Sequence, residues 1–113
     1  MRTVFHLALA RDWDPNAETY PWSTRGMTIA DIGFLHASAD EDQLNRVAGR
    51  FYRDVTESML VLTLDEGELT RRGYEIRDEP AEPDNPHAEL FPHVYGGDLP
   101  TAAVVATRPY VRP

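Results

Sequence analysis

Apolar residues crowd the stretch from Thr3 to Leu9, which predicts a short buried strand. Alternation places Val4, His6 and Ala8 on one face and Phe5, Leu7 and Leu9 on the other. The pattern weakens from Asp12 to Tyr20, where Asp14 followed by Pro15 fits the cap and first position of a short helix. Tyr20 to Gly26 reads as a loop, and Met27 to Ile32 as a helical turn closed by Gly33. Phe34 to Ala37 reads as a second strand. Ser38 and Glu41 then stand three apart, as in a capping box. Leu44, Val47, Ala48 and Phe51 follow at helical spacing, so the principal helix is expected from about Ala39 to Arg53.

The second half alternates short elements with turns. Met59 to Leu64 is a strand, Glu66 to Gly73 a short helix or turn, and Tyr74 to Arg77 another strand. Asp78 to Pro86, rich in proline and acids, reads as a loop that also holds Asp84 and Asn85, with His87 just after it. Leu90 to Tyr95 is extended but interrupted by Pro92, which suggests an edge strand or an irregular segment. Gly96, Gly97 and Asp98 form a turn before a last strand, Ala102 to Thr107. There are no repeats and no linker, so residues 1–113 are expected to form one domain. The fold class is α+β: mostly antiparallel sheets with one principal helix.

Composition narrows the chemistry. The chain has no cysteine, which removes disulfides, thiolate catalysis and cysteine-held metals. No apolar run approaches the roughly 20 residues of a membrane span, and Met1 leads straight into a strand pattern rather than a signal peptide, so a cytoplasmic location is expected. The net charge of −8 disfavours nucleic acid as a partner, because phosphate backbones are held by lysine and arginine. All 11 basic residues are arginines. Arg46, Arg50 and Arg53 lie on one helix face, with Asp42–Arg46 and Arg50–Asp54 spaced for i,i+4 pairs, the pattern of a solvated face. Phosphate-binding glycine loops and nucleophile elbows are missing from the sequence.

Three of the four histidines sit in apolar, strand-like runs. His6 fits either a core histidine held by a carbonyl or a ligand contact. His36 stands where a strand hands over to a helix, a junction whose free backbone N–H groups favour anions; Ser38 there could cap the helix, bind a ligand or both. Glu89, Phe91, His93 and Tyr95 share one face of an extended segment, where a carboxylate and an imidazole can act as base and orienter. His6, His36, His93 and Glu89 also form a set suited to a divalent metal, although no HxH or HExxH spacing occurs. Trp22, beside Ser23, Thr24 and Arg25, fits a pocket wall or a core plug.

The chain carries in order Phe5-His6-Leu7, Gly33-Phe34-Leu35-His36-Ala37-Ser38, a Gln43-to-Arg53 helix ending Phe51-Tyr52-Arg53, and Glu89-Leu90-Phe91-Pro92-His93-Val94-Tyr95-Gly96, of which the second and fourth are quite specific. In order and spacing the chain resembles the small bacterial proteins of domain-of-unknown-function family 952 over nearly its whole length. That family resembles in fold the ADP-ribosyltransferase superfamily, above all its RNA 2′-phosphotransferase branch. The resemblance implies a cleft for NAD or an ADP-ribose-type nucleotide. His6 and Ser38 would lie near ribose or phosphate oxygens and His36 near the nicotinamide side. Glu89 would be the charge-stabilising carboxylate, with Trp22, His93 and Tyr95 as further contacts. It implies ADP-ribosyl transfer or glycosidic-bond chemistry on a small molecule, or else an idle nucleotide-binding module. The phosphotransferase branch holds its RNA with several arginines, and this acidic chain lacks that arginine-rich lobe.

Overall fold

The computed structural model describes residues 2–81 and 88–113, so the expected positions of Asp84, Asn85 and His87 lie outside the described residues. In chain order the elements begin with β1 (Thr3–Leu9), β2 (Thr19–Tyr20), β3 (Trp22–Thr24), β4 (Met27–Thr28) and α1 (Ile29–Ile32). Next come β5 (Leu35–His36), α2 (Glu41–Phe51), β6 (Met59–Asp65) and α3 (Glu66–Arg71). The chain closes with β7 (Glu75–Pro80), β8 (Leu90–Tyr95), β9 (Leu99–Pro100) and β10 (Val104–Pro109). Every strand pair is antiparallel, and the α+β class follows.

Two three-stranded sheets, ordered β1-β6-β10 and β5-β8-β7, carry the architecture. A backbone bridge joins them: the Phe5 amide donates to the Ser38 carbonyl at 2.8 Å, and the Ser38 amide donates to the Phe5 carbonyl at 2.6 Å. The alternation along β1 is realised. Val4 and Ala8 enter one core with Leu35, Leu62, Leu64 and Val94. Leu7 and Leu9 enter a second, where Leu44 and Ala48 of α2 meet Val61 and Tyr110. Burying apolar area on both faces of β1 and β6 is the main driving term, at about 25 cal/mol per Å².

Several expectations change. Tyr20 to Gly26 is not a loop, because Trp22–Thr24 pairs with Met27–Thr28 around Gly26, whose positive φ of 73° permits the tight turn. Asp14 does not start a helix; its carboxylate accepts from the Asn16 amide at 2.9 Å and closes a turn. Thr28 caps the short α1 by accepting from the Asp31 amide, and Gly33 ends it at φ 101°, as expected. The cap of α2 is Asp40 rather than Ser38: its side chain accepts from the Gln43 amide at 2.8 Å, and Gln43 Oε1 accepts from the Ala39 amide at 2.7 Å. β7 runs on to Pro80 because pairing with β8 outweighs local composition, and Arg2 grips Asp78 with two bonds of 3.0 and 2.8 Å. β8 is central in its sheet despite Pro92. The Pro92 carbonyl accepts from the Ala37 amide at 3.0 Å, so the missing N–H faces the side where the two-residue β5 has already ended.

Candidate functional site

The bridge between the sheets creates the site. It sets β1 beside the end of β5, and a cleft of about 410 Å³ opens there. That volume lies within the roughly 300–1,000 Å³ usual for small-molecule sites. Its walls are largely aromatic, with Phe5, Phe51, Tyr52 and Phe91. Its polar lining comes from His6, Ser23, Thr24, Arg25, His36 and Ser38.

The two histidines differ in kind. His6 is 2% exposed, and both ring nitrogens are engaged. Nδ1–H donates to the His36 carbonyl at 2.6 Å, which leaves Nε2 as an acceptor for the Tyr20 hydroxyl at 2.9 Å. Burial pushes this imidazole down to about 4, so it is neutral at physiological pH. Burial also raises the Tyr20 phenol, which stays protonated and donates. His6 therefore braces β1 to β5 and β2 and has no ring nitrogen left for a ligand. His36 is the opposite case. Its ring lies edge-on to Phe34 and His93, each with centroids 5.0 Å away, and its nitrogens bond to no described residue. Burial first, then the neighbouring His93, pushes it down to about 4. A neutral imidazole whose nitrogens bond to no described residue thus lines the cleft.

Ser38 lies two residues on from His36, on the same side of an extended segment. Because Asp40 takes the capping role, the Ser38 hydroxyl is left to the cleft. On β3, the Thr24 hydroxyl and the Tyr52 hydroxyl are bonded at 3.0 Å, and the Arg25 amide donates to the same Tyr52 oxygen at 3.2 Å. Arg25 grips Asp54 through two bonds of 2.6 and 2.9 Å, which holds that carboxyl down to about 2. Ser23 is fully buried, and its hydroxyl has no partner among the described residues.

Of the residues singled out from sequence, His6, His36 and Ser38 converge on this cleft. The others do not line it. Glu89 pairs with Arg46 at the surface, both side chains about half exposed, so it is not placed beside His36. Arg46 of the expected Asp42–Arg46 pair thus bonds to Glu89, and Asp54 of the expected Arg50–Asp54 pair bonds to Arg25. His93 is buried behind Phe34, stacked with centroids 3.9 Å apart, and Nδ1–H donates to Glu79 at 2.9 Å. Tyr95 donates to the same Glu79 oxygen at 2.5 Å. Trp22 packs half-buried against the first core. No group of three metal-ligating side chains gathers among the described residues, so the histidines and Glu89 do not form a metal set there. Phe5, Ser23, Thr24, Arg25, Phe51 and Phe91 line the cleft without having been given a site role, although the polar run Ser23-Thr24-Arg25 was noted beside Trp22 and Phe91 beside Glu89 and His93.

Fold and site together define an α+β protein of antiparallel sheets with an aromatic-walled cleft at the joint between them. The chain belongs to the family described as protein of unknown function (DUF952), which matches residues 8–107. Among solved structures it is similar to protein CC0527 from Caulobacter crescentus, with 17% identity, a TM-score of 0.70, and 95% of this chain and 84% of that one covered. A double-methionine variant of the same Caulobacter protein gives the same values. That likeness concerns the fold alone. No curated protein matches the chain. Among the described residues no helix is long and apolar enough to cross a membrane.

Proposed function

We propose that the cleft binds a sugar-linked heterocycle of the NAD or ADP-ribose type. The observation that carries this reading is His36, a neutral imidazole whose nitrogens bond to no described residue, in an aromatic-walled cleft of about 410 Å³. Phenylalanine walls suit a planar ring, and a neutral imidazole beside the Ser38 hydroxyl suits sugar hydroxyls or a carboxamide. The resemblance to ADP-ribosyltransferases agrees with such a ligand. His36 and Ser38 would hold the sugar side, while His6 acts through the His36 backbone as a positioning residue. Isothermal titration with ADP-ribose and NAD tests this: both bind the wild-type chain, and His36→Ala weakens them at least tenfold. Absence of binding by either ligand contradicts the reading.

Transfer chemistry at the anomeric carbon is the second reading, favoured by Ser38 and His36 on one side of the same segment. It calls for a carboxylate to stabilise positive charge as that bond breaks. Glu89, the candidate for that role, is held by Arg46 away from the lining. Recognition of the ligand is therefore the reading that the geometry supports best. Release of nicotinamide from NAD, lost in His36→Ala, would restore the transfer reading.

A further inference from the structure

One cleft-lining hydroxyl is sealed by the fold yet bonds to no described residue. Ser23 on β3 is 0% exposed, lines the cleft, and carries a hydroxyl that meets no donor or acceptor among the described residues. Its neighbours are satisfied: Thr24 bonds to Tyr52, and the Arg25 amide bonds to the same phenolic oxygen. Buried polar groups in native proteins almost always have a partner, so an orphan hydroxyl on a residue that borders a cleft calls for one from outside the chain. Charge decides what that partner is. Among the described lining residues Arg25 is the cation, and Asp54 neutralises it through a bidentate contact. His6 and His36 line the same space uncharged at neutral pH. The chain as a whole carries −8. A phosphate entering beside Ser23 would lose its water and meet no free positive charge, whereas an uncharged hydroxyl or carboxamide would meet hydroxyls and imidazole.

We propose that Ser23 is a ligand-contacting, specificity-determining residue, and that it meets an uncharged hydrogen-bonding group of the ligand, a sugar hydroxyl or a carboxamide. The cleft takes the nucleoside part and leaves phosphate outside. This deepens the ADP-ribose-type reading and rests on it. It also makes Ser23 a residue that the unliganded fold does not need.

The test compares the full wild-type chain with Ser23→Ala and Ser23→Cys, the latter keeping bulk while weakening the hydrogen bond. Adenosine, AMP, ADP-ribose and inorganic pyrophosphate are titrated calorimetrically, and melting temperatures are read without ligand. Adenosine is expected to bind the wild-type chain, with AMP within about twofold of it and pyrophosphate failing to compete. Both variants are expected to bind adenosine and ADP-ribose roughly tenfold more weakly, the size of one lost hydrogen bond, with melting temperatures no lower than wild type. Unchanged affinity in both variants, or a clear drop in melting temperature of Ser23→Ala, overturns the role of Ser23 while ADP-ribose binding by the wild type keeps the broader reading. AMP binding tenfold or more tighter than adenosine, or competition by pyrophosphate, overturns the uncharged-group assignment. Failure of every probe to bind the wild-type chain overturns this inference and the broader reading together.

Discussion

At the scale of single residues, partners separate the histidines that sequence alone leaves equivalent. His6 spends both nitrogens on the fold, donating to the His36 carbonyl and accepting from Tyr20. Replacing it with alanine strands two buried groups and opens a cavity, so a loss of about 2–4 kcal/mol is expected in urea denaturation. His36→Ala removes a half-buried ring whose nitrogens bond to no described residue, and its stability cost in the same experiment is expected to stay below about 1.5 kcal/mol. Equal costs for the two substitutions would contradict the division of roles. The strand settings of His6 and His36 were legible because alternation and a strand–helix junction are local signals, but their meeting, across 30 positions, was implied only by the family resemblance. Ser23 was not, because Tyr20-Pro21-Trp22-Ser23-Thr24 has turn composition, and only pairing with Met27–Thr28 makes it a strand. Glu89 escaped for a different reason: its ion pair with Arg46 joins residues 43 positions apart, which spacing along one segment cannot reveal.

At the scale of elements, α2 shows how a two-residue difference in a cap changes a functional assignment. Ser38 and Asp40 are both good capping residues, and Glu41 three positions after Ser38 favours the earlier one from sequence. The bridge to Phe5 keeps Ser38 extended, so the helix starts after Asp40. Asp40→Ala is therefore expected to lower stability by about 1 kcal/mol, whereas Ser38→Ala leaves it within about 0.5 kcal/mol and weakens ADP-ribose binding. Parallel denaturation and titration of the two variants decide this, and the reverse pattern would move the cap back to Ser38. The turn after β8 makes a second demand. Gly96 sits at φ 145°, and a Cβ there would collide with the ring of Tyr74, whose hydroxyl donates to the Asp98 carbonyl at 2.5 Å. Gly96→Ala is expected to cost more than about 2 kcal/mol, read from the denaturation midpoint. A near-neutral effect would mean that the Tyr74 ring gives way. The central place of β8 was hidden by Pro92, since a proline inside an apolar run ordinarily marks an edge.

Across the whole molecule, the two cores share β1, and the cleft opens beside the backbone bridge that joins β1 to the segment after β5. Its chemistry is neutral although the chain is acidic, and pH follows from that. His6 and His36 both lie near 4 in the folded chain against an ordinary 6.5, so the unfolded chain binds protons first as pH falls. Stability is therefore full above about pH 6.5 and is lost between there and pH 4, by at most about 1.4 kcal/mol per pH unit for each ring. Urea denaturation at pH 7, 5.5 and 4.5 checks this, and a flat profile would contradict the neutral, buried assignment. The most direct test of the central claim is ¹H–¹⁵N NMR of the imidazoles during titration with ADP-ribose. Saturable shifts of the His36 ring nitrogens are expected, with the His6 nitrogens, locked between Tyr20 and the His36 carbonyl, nearly still. A His36 ring that does not respond while ligand is in excess, or shifts confined to residues outside the cleft, would contradict it.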